Sequence, residues 1–202
     1  MEFQTKPDPN MPFRMADYRL RVYRRFPEKR MRQVVVYLAQ TESEMVYQTT
    51  FSIENLQHEF TVIRLWEQPA EIFLQMPGLL PFAVLSNATN KTGTLQNVAA
   101  RIDNIADRRT QSNLTASAAI LAGLVLNQEV IQRLLRRDIM QESVIYQSIL
   151  SEGEEEGSNK KAREIAVNLL AEGMTIDAIA RLTELSVEMV QQLQRDKAQE
   201  QE

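Results

Sequence analysis

The sequence predicts an α/β protein: a small mixed sheet with flanking helices over residues 1–90, a helical extension over 91–150, and a helix-turn-helix-like unit at the end. Three observations carry this. Val34-Val35-Val36-Tyr37-Leu38 is a β-branched run with the length and character of a buried strand. Phe60 to Trp66 follows a strand-like alternation, so a second strand is expected there. Beyond Thr92 the apolar residues change to long helical periods, and no further strand is needed.

Glu2 to Thr5 alternates polar and apolar and is stopped by Pro7 and Pro9, the pattern of a strand end entering a loop. Phe13 to Phe26 reads as a helix with Met15, Val22 and Phe26 on one apolar face and Tyr18 and Tyr23 at its margins, closed by Pro27. A short helix is expected over Pro69 to Leu74, with proline at its start. Pro77-Gly78 marks a turn, and Phe82 to Leu85 reads as a strand or an ordered connection. Helical periods then cover Leu95 to Ala106, Leu114 to Leu126, and Glu129 to Leu150 with a break near Asp138.

The acidic, glycine-flanked segment Glu152 to Gly157 predicts a solvated linker over 151–160 and a boundary there. After it Ala162, Ile165, Ala166, Leu169 and Leu170 repeat at helical spacing until Gly173. Thr175 and Ser186 are placed as N-caps of two further short helices, and 197–202 as a disordered end. Ile179, Ala180, Leu185, Val190 and Leu193 occupy the positions where a helix-turn-helix packs its helices, with Glu184 at the turn where glycine is usual. The presumed recognition helix, Val187 to Arg195, offers Gln191, Gln192, Gln194 and Arg195 against Glu188. Two readings stay open for this tail: a DNA contact, or a small packing or oligomerisation unit.

Composition narrows the chemistry. The chain has 202 residues, 44% apolar, and no cysteine, so disulfides and thiolate metal sites are excluded and a reducing cytoplasm is expected. The longest apolar stretch, Leu114 to Leu126, is too short to cross a bilayer. Net charge is −4, but Met1 to Tyr37 carries nine basic residues against four acids while the tail is acidic. DNA, if bound, is therefore expected at the front. Arg14, Arg21 and Arg25 share a narrow angle of the first helix, with Asp17 four residues before Arg21. This is either a phosphate-facing row or a solvated charged face. His58 is the only histidine and, lacking a second ligand type, reads as structural; Trp66 reads as a core or sheet-margin residue.

Glu2-Phe3-Gln4, the proline-interrupted loop and the run Pro12-Phe13-Arg14-Met15-Ala16-Asp17-Tyr18-Arg19 resemble the recombination-promoting nuclease/transposase family of the PD-(D/E)XK superfamily. The resemblance extends through Val34 to Leu38, Phe60 to Glu67 and Met76 to Ser86, so it covers most of the chain. It implies a DNA endonuclease core in which Glu2 is a catalytic Mg2+ ligand and Gln4 stands in the position of the signature's lysine. An oxygen-held Mg2+ would activate water and stabilise charge on a scissile phosphate. The strand that should bring the family's Asp lies upstream of this triplet, so the chain is expected to begin within the catalytic core and to be catalytically incomplete. The alternative is a non-enzymatic DNA-binding or oligomerising protein derived from such a nuclease.

Overall fold

The computed structural model describes residues 1–199, which divide into two compact units, Met1–Ser143 and a second beginning at Val144. In the first, strands β1 (Glu2–Gln4), β2 (Val34–Tyr37) and β5 (Thr61–Arg64) form a parallel sheet in the order β1-β2-β5. The register pairs Glu2 with Val35 and Gln4 with Tyr37, then Val35 with Val62. Antiparallel pairing occurs in a separate hairpin, β3 (Thr50–Ile53) and β4 (Leu56–Glu59).

A parallel sheet must be covered on both faces, and the alternation along β2 shows how. Val35 and Tyr37 point into one cluster with Met11 and Met15 of helix α1 (Met11–Arg25), Val46 and Phe60. Val36 and Leu38 point the other way, into a larger cluster with Phe73, Leu80, Val84, Leu95, Val98 and Ile102. The buried Gln33 side chain fastens α1 above the sheet, donating to the Met15 carbonyl at 2.7 Å. Trp66 packs at the margin of the α1-side cluster.

The second cluster is built by α2 (Ala70–Leu74), a 3-10 run over Pro77–Leu85, α3 (Lys91–Asp103) and α4 (Arg108–Ala122), followed by the shorter α5 (Gln128–Leu134) and α6 (Arg137–Met140). Residues 1–90 and 91–143 thus share one core rather than forming a sheet domain and an extension. The connection expected at Phe82 to Leu85 is this buried 3-10 run. α3, α4 and α5 each begin earlier than their apolar periods. Asn90, Asp107 and Asn127 accept hydrogen bonds from the backbone N–H groups of Gly93, Thr110 and Val130, satisfying first-turn donors before the first core residue arrives.

Two expectations need correction, and one element was not foreseen. Phe26 is exposed rather than core; it sits beneath the cations of Arg25 and Lys29, at 5.4 and 5.2 Å from its ring, because α1 extends past the sheet and only its first half is covered. The hairpin β3–β4 has no counterpart in the sequence reading, since its residues are largely exposed and Glu54, not glycine, takes the positive φ of 47° at its turn. The linker expected over 151–160 is helical: α7 runs unbroken over Val144–Ala171. Each glycine there costs about 1 kcal/mol relative to alanine, which a helix rich in Glu, Lys and Ala tolerates.

The second unit consists of α7, α8 (Ile176–Thr183) and α9 (Val187–Gln199). α9 continues to Gln199 where disorder was expected from 197, and positions 200–202 lie outside the described residues. Gly173, at φ +80°, ends α7: its N–H reaches the Leu170 carbonyl while that of Met174 reaches Leu169, the paired bonds of a Schellman stop.

Candidate nuclease-like cluster and helix-turn-helix surface

The expected site residues at the front meet around one arginine. β1 places Glu2 and Gln4 on the same face, and Gln4 Nε2 donates to Glu2 Oε1 at 3.0 Å. The same oxygen accepts from Arg14 at 2.6 Å, the length of a charge-assisted bond. The other terminal nitrogen of Arg14 donates to Asp8 Oδ2 at 2.9 Å, and the guanidinium also donates to the Tyr18 hydroxyl at 3.1 Å. Asp8 in turn accepts from the backbone N–H of Asn10 at 2.8 Å, just before α1 begins.

This geometry sets the charges. The Asn10 N–H and then Arg14 hold the Asp8 carboxyl below its usual range. Tyr18 and then Asp8 raise Arg14 above its ordinary value, so it is a permanent cation here. Two carboxylates therefore converge on a cation supplied by the chain. Among the described residues no group of three His, Asp or Glu side chains is placed to hold a metal ion. Glu2 Oε1 and Asp8 Oδ2 both accept from Arg14, so the two carboxylates share a cation of the chain's own.

The three arginines of α1 have different partners. Arg14 is engaged as above, Arg21 pairs with Asp17 at 2.8 Å, and Arg25 lies over Phe26. Asp8 and Tyr18 were missed as members of the cluster. Their signal was local: an Asp before a helix start, and a Tyr one turn beyond Arg14. His58 lies on β4, stacked on Phe60 with ring centroids 6.5 Å apart, and its Nε2 is shielded without a hydrogen-bond partner among the described residues. Burial, then Arg19, pushes its pKa below the ordinary imidazole value.

In the second unit Ala166 of α7, Ile179 of α8, and Leu185 and Val190 of the α8–α9 stretch form a closed core, with Ala180 and Leu193 packed against it. These are the apolar positions the sequence marked. Ser186 caps α9, accepting from the Met189 N–H at 3.2 Å; Thr175 occupies the N-cap position of α8 without a side-chain bond. Glu184 makes the turn in the left-handed region, φ 58° and ψ 12°, as the pattern demands of a residue normally glycine. The outer face of α9 exposes Glu188, Gln191, Gln192, Gln194 and Arg195. Gln192 bridges Asp196 at 2.6 Å and Arg195 at 2.9 Å.

Two short helices crossing over a four-residue core, with a tight turn between them and a polar second helix facing out, define a helix-turn-helix domain. Residues 159–195 match the family model of the C-terminal HTH domain of the Rpn/YhgA-like nuclease family, the recombination-promoting nucleases of the resemblance above. No curated protein and no solved structure matches the chain. No helix among the described residues is long and apolar enough to cross a membrane.

Proposed function

We propose that this is a DNA-binding protein of the Rpn/YhgA-like nuclease type, contacting DNA through α9, with a nuclease-like front half that does not assemble a cleavage centre from its own residues. The observation that carries the first part is the match over 159–195, together with the exposed Gln191, Gln192, Gln194 and Arg195 on the second helix of the motif. Glutamine amides read base edges and arginine reaches either guanine or phosphate. Residues 159–195 hold five basic residues against five acids, so binding should release few counterions and depend only weakly on salt, with a log–log slope near about −1 to −2. For the second part, the support is that Arg14 occupies the place between Glu2 and Asp8.

The test uses the full chain and labelled duplex DNA. Replacing Gln191, Gln192 and Arg195 together by alanine is expected to weaken binding at least about tenfold, consistent with roughly 1–3 kcal/mol per good base contact. Unchanged binding would move the contact to Arg21 and Arg25 on α1. The competing reading is a Mg2+-dependent endonuclease with Glu2 as metal ligand and Gln4 beside it. Plasmid cleavage that needs Mg2+ and disappears in Glu2→Ala would establish it; equal background in both proteins is the expected result.

A further inference from the structure

We propose that the end of α1 and the loop after it, residues 19–32, form a surface for single-stranded DNA, on which Tyr23 and Phe26 stack bases while the cations around them hold phosphates. It uses none of the residues of α9. Only the choice of DNA over RNA rests on the DNA contact proposed above.

The first observation is how this segment leaves the core. The buried residues of α1 are Met11, Met15 and Ala16, all in its first half. The chain regains the interior at Gln33, whose side chain bonds the Met15 carbonyl. Between these points Leu20, Tyr23 and Phe26 stand open, the two rings at 53 and 44%. Aromatic rings bring a large apolar surface to any contact they make, and exposed ones grouped on a projection mark a binding surface.

The second observation is charge. Residues 19–32 contain seven basic residues against a single acid, Glu28. Among the described residues, one of the seven, Arg21, has an acidic partner, Asp17 at 2.8 Å. Arg24 and Arg25 complement the carbonyl end of the helix, but that field fades within a turn and does not account for Lys29, Arg30 and Arg32. A second copy of the chain would set these cations against one another, whereas a polyanion neutralises them.

The third observation is the pairing of ring with cation. Arg19 lies 5.6 Å from the Tyr23 ring centre, and Arg25 and Lys29 lie 5.4 and 5.2 Å from that of Phe26. The Lys29 N–H reaches the Phe26 carbonyl at 3.1 Å, a turn that folds Lys29 back over the ring. A nucleotide offers the complementary pair, a π face and a phosphate joined through one sugar. Duplex DNA keeps its bases stacked on one another and gives these rings nothing to cover, so the occupant is a single strand. An anionic bilayer also attracts basic segments, but it takes up a continuous apolar face, and here Arg24 and Arg25 stand between Tyr23 and Phe26.

The experiment is fluorescence anisotropy of the full chain with labelled oligo-dT of about twelve nucleotides. Wild type is expected to bind it, and unlabelled oligo-dT to displace it at lower concentration than a duplex of equal length. Tyr23→Ala/Phe26→Ala is expected to weaken binding at least about tenfold, while Tyr23→Trp/Phe26→Trp retains it because the larger ring stacks as well. Arg24→Ala/Arg30→Ala/Arg32→Ala is expected to reduce the slope of log affinity against log salt by about 2. All these side chains are exposed, so circular dichroism should show wild-type helix content in each variant. The aromatic pair is also expected to leave duplex binding through α9 as it was, so this surface and that contact can fail separately. No binding of oligo-dT, an undiminished affinity in the alanine pair, equally effective displacement by duplex, or tighter capture of oligo-rU would each overturn the proposal. Vesicles rich in phosphatidylserine that hold the chain through Tyr23 and Phe26 while oligo-dT does not would overturn it in favour of a membrane.

Discussion

The two units bury their apolar residues on different scales. The Met1–Ser143 unit holds a sheet between two clusters, one of them with fourteen buried members, whereas the unit from Val144 closes around four buried residues, Ala166, Ile179, Leu185 and Val190. They also treat charge differently. At the front Arg14 is spent on Glu2 and Asp8, while the outer face of α9 turns its polar residues to solvent. The Arg14 cluster, whose charges satisfy one another, ties β1 to α1, whereas the thin second domain leaves a polar face open to solvent. In the small core each side chain carries a large share of the stability, so the units should respond unequally to comparable changes.

Ile179→Ala should give the largest effect. Ile179 is fully buried in the small core, and its truncation is expected to cost about 2–5 kcal/mol. Thermal unfolding followed at the two units separately should show the second melting first, with the first unchanged; a single undisturbed transition would contradict the comparison. Next comes Arg14→Met, which leaves Glu2 and Asp8 without their common cation. After allowance for solvent screening it should cost on the order of 1 kcal/mol, confined to the first unit in chemical denaturation. The same variant should raise the Asp8 pKa, measurable by NMR, since Arg14 is one of the groups that lowers it.

Glu184→Gly should act in the opposite direction. Relieving a left-handed glutamate is expected to stabilise the second unit by about 0.5–1 kcal/mol. A loss of stability would show that the Glu184 side chain contributes more than its backbone conformation costs. The smallest effect is the pH response of His58. Because burial and Arg19 depress its pKa in the folded chain, the unfolded chain binds the proton more readily. Its contribution is intact above about pH 6.5 and is lost as pH falls below that value. His58→Gln should flatten this part of the stability profile in denaturant titrations at a series of pH values.

Much of this was legible in the residues. A continuous β-branched run revealed β2 because both faces of that strand are buried, and the apolar spacing from Ala162 to Leu193 revealed the tail because its core comes from one contiguous segment. Glu2 and Gln4 were read as sharing one face of their strand, and the Gln4–Glu2 bond joins them there. The hairpin was not legible, because exposed strands lack a burial pattern and its turn lacks glycine. The helical state of 151–160 was hidden by glycines that ordinarily interrupt.

The sequence by itself determined the local elements: which segments are apolar on one face or two, where Ser186 starts a helix, and that Gly173 and the residue at 184 must turn the chain. These depend on neighbours within a turn or two, so they are written in short patterns. Only the tertiary structure decided what the charged groups do. Glu2, Asp8 and Arg14 are separated along the chain by up to twelve positions, and it took the packing of α1 against the sheet to bring them into one cluster. A charge read alone has a sign, but its role depends on which other charges the fold brings within reach.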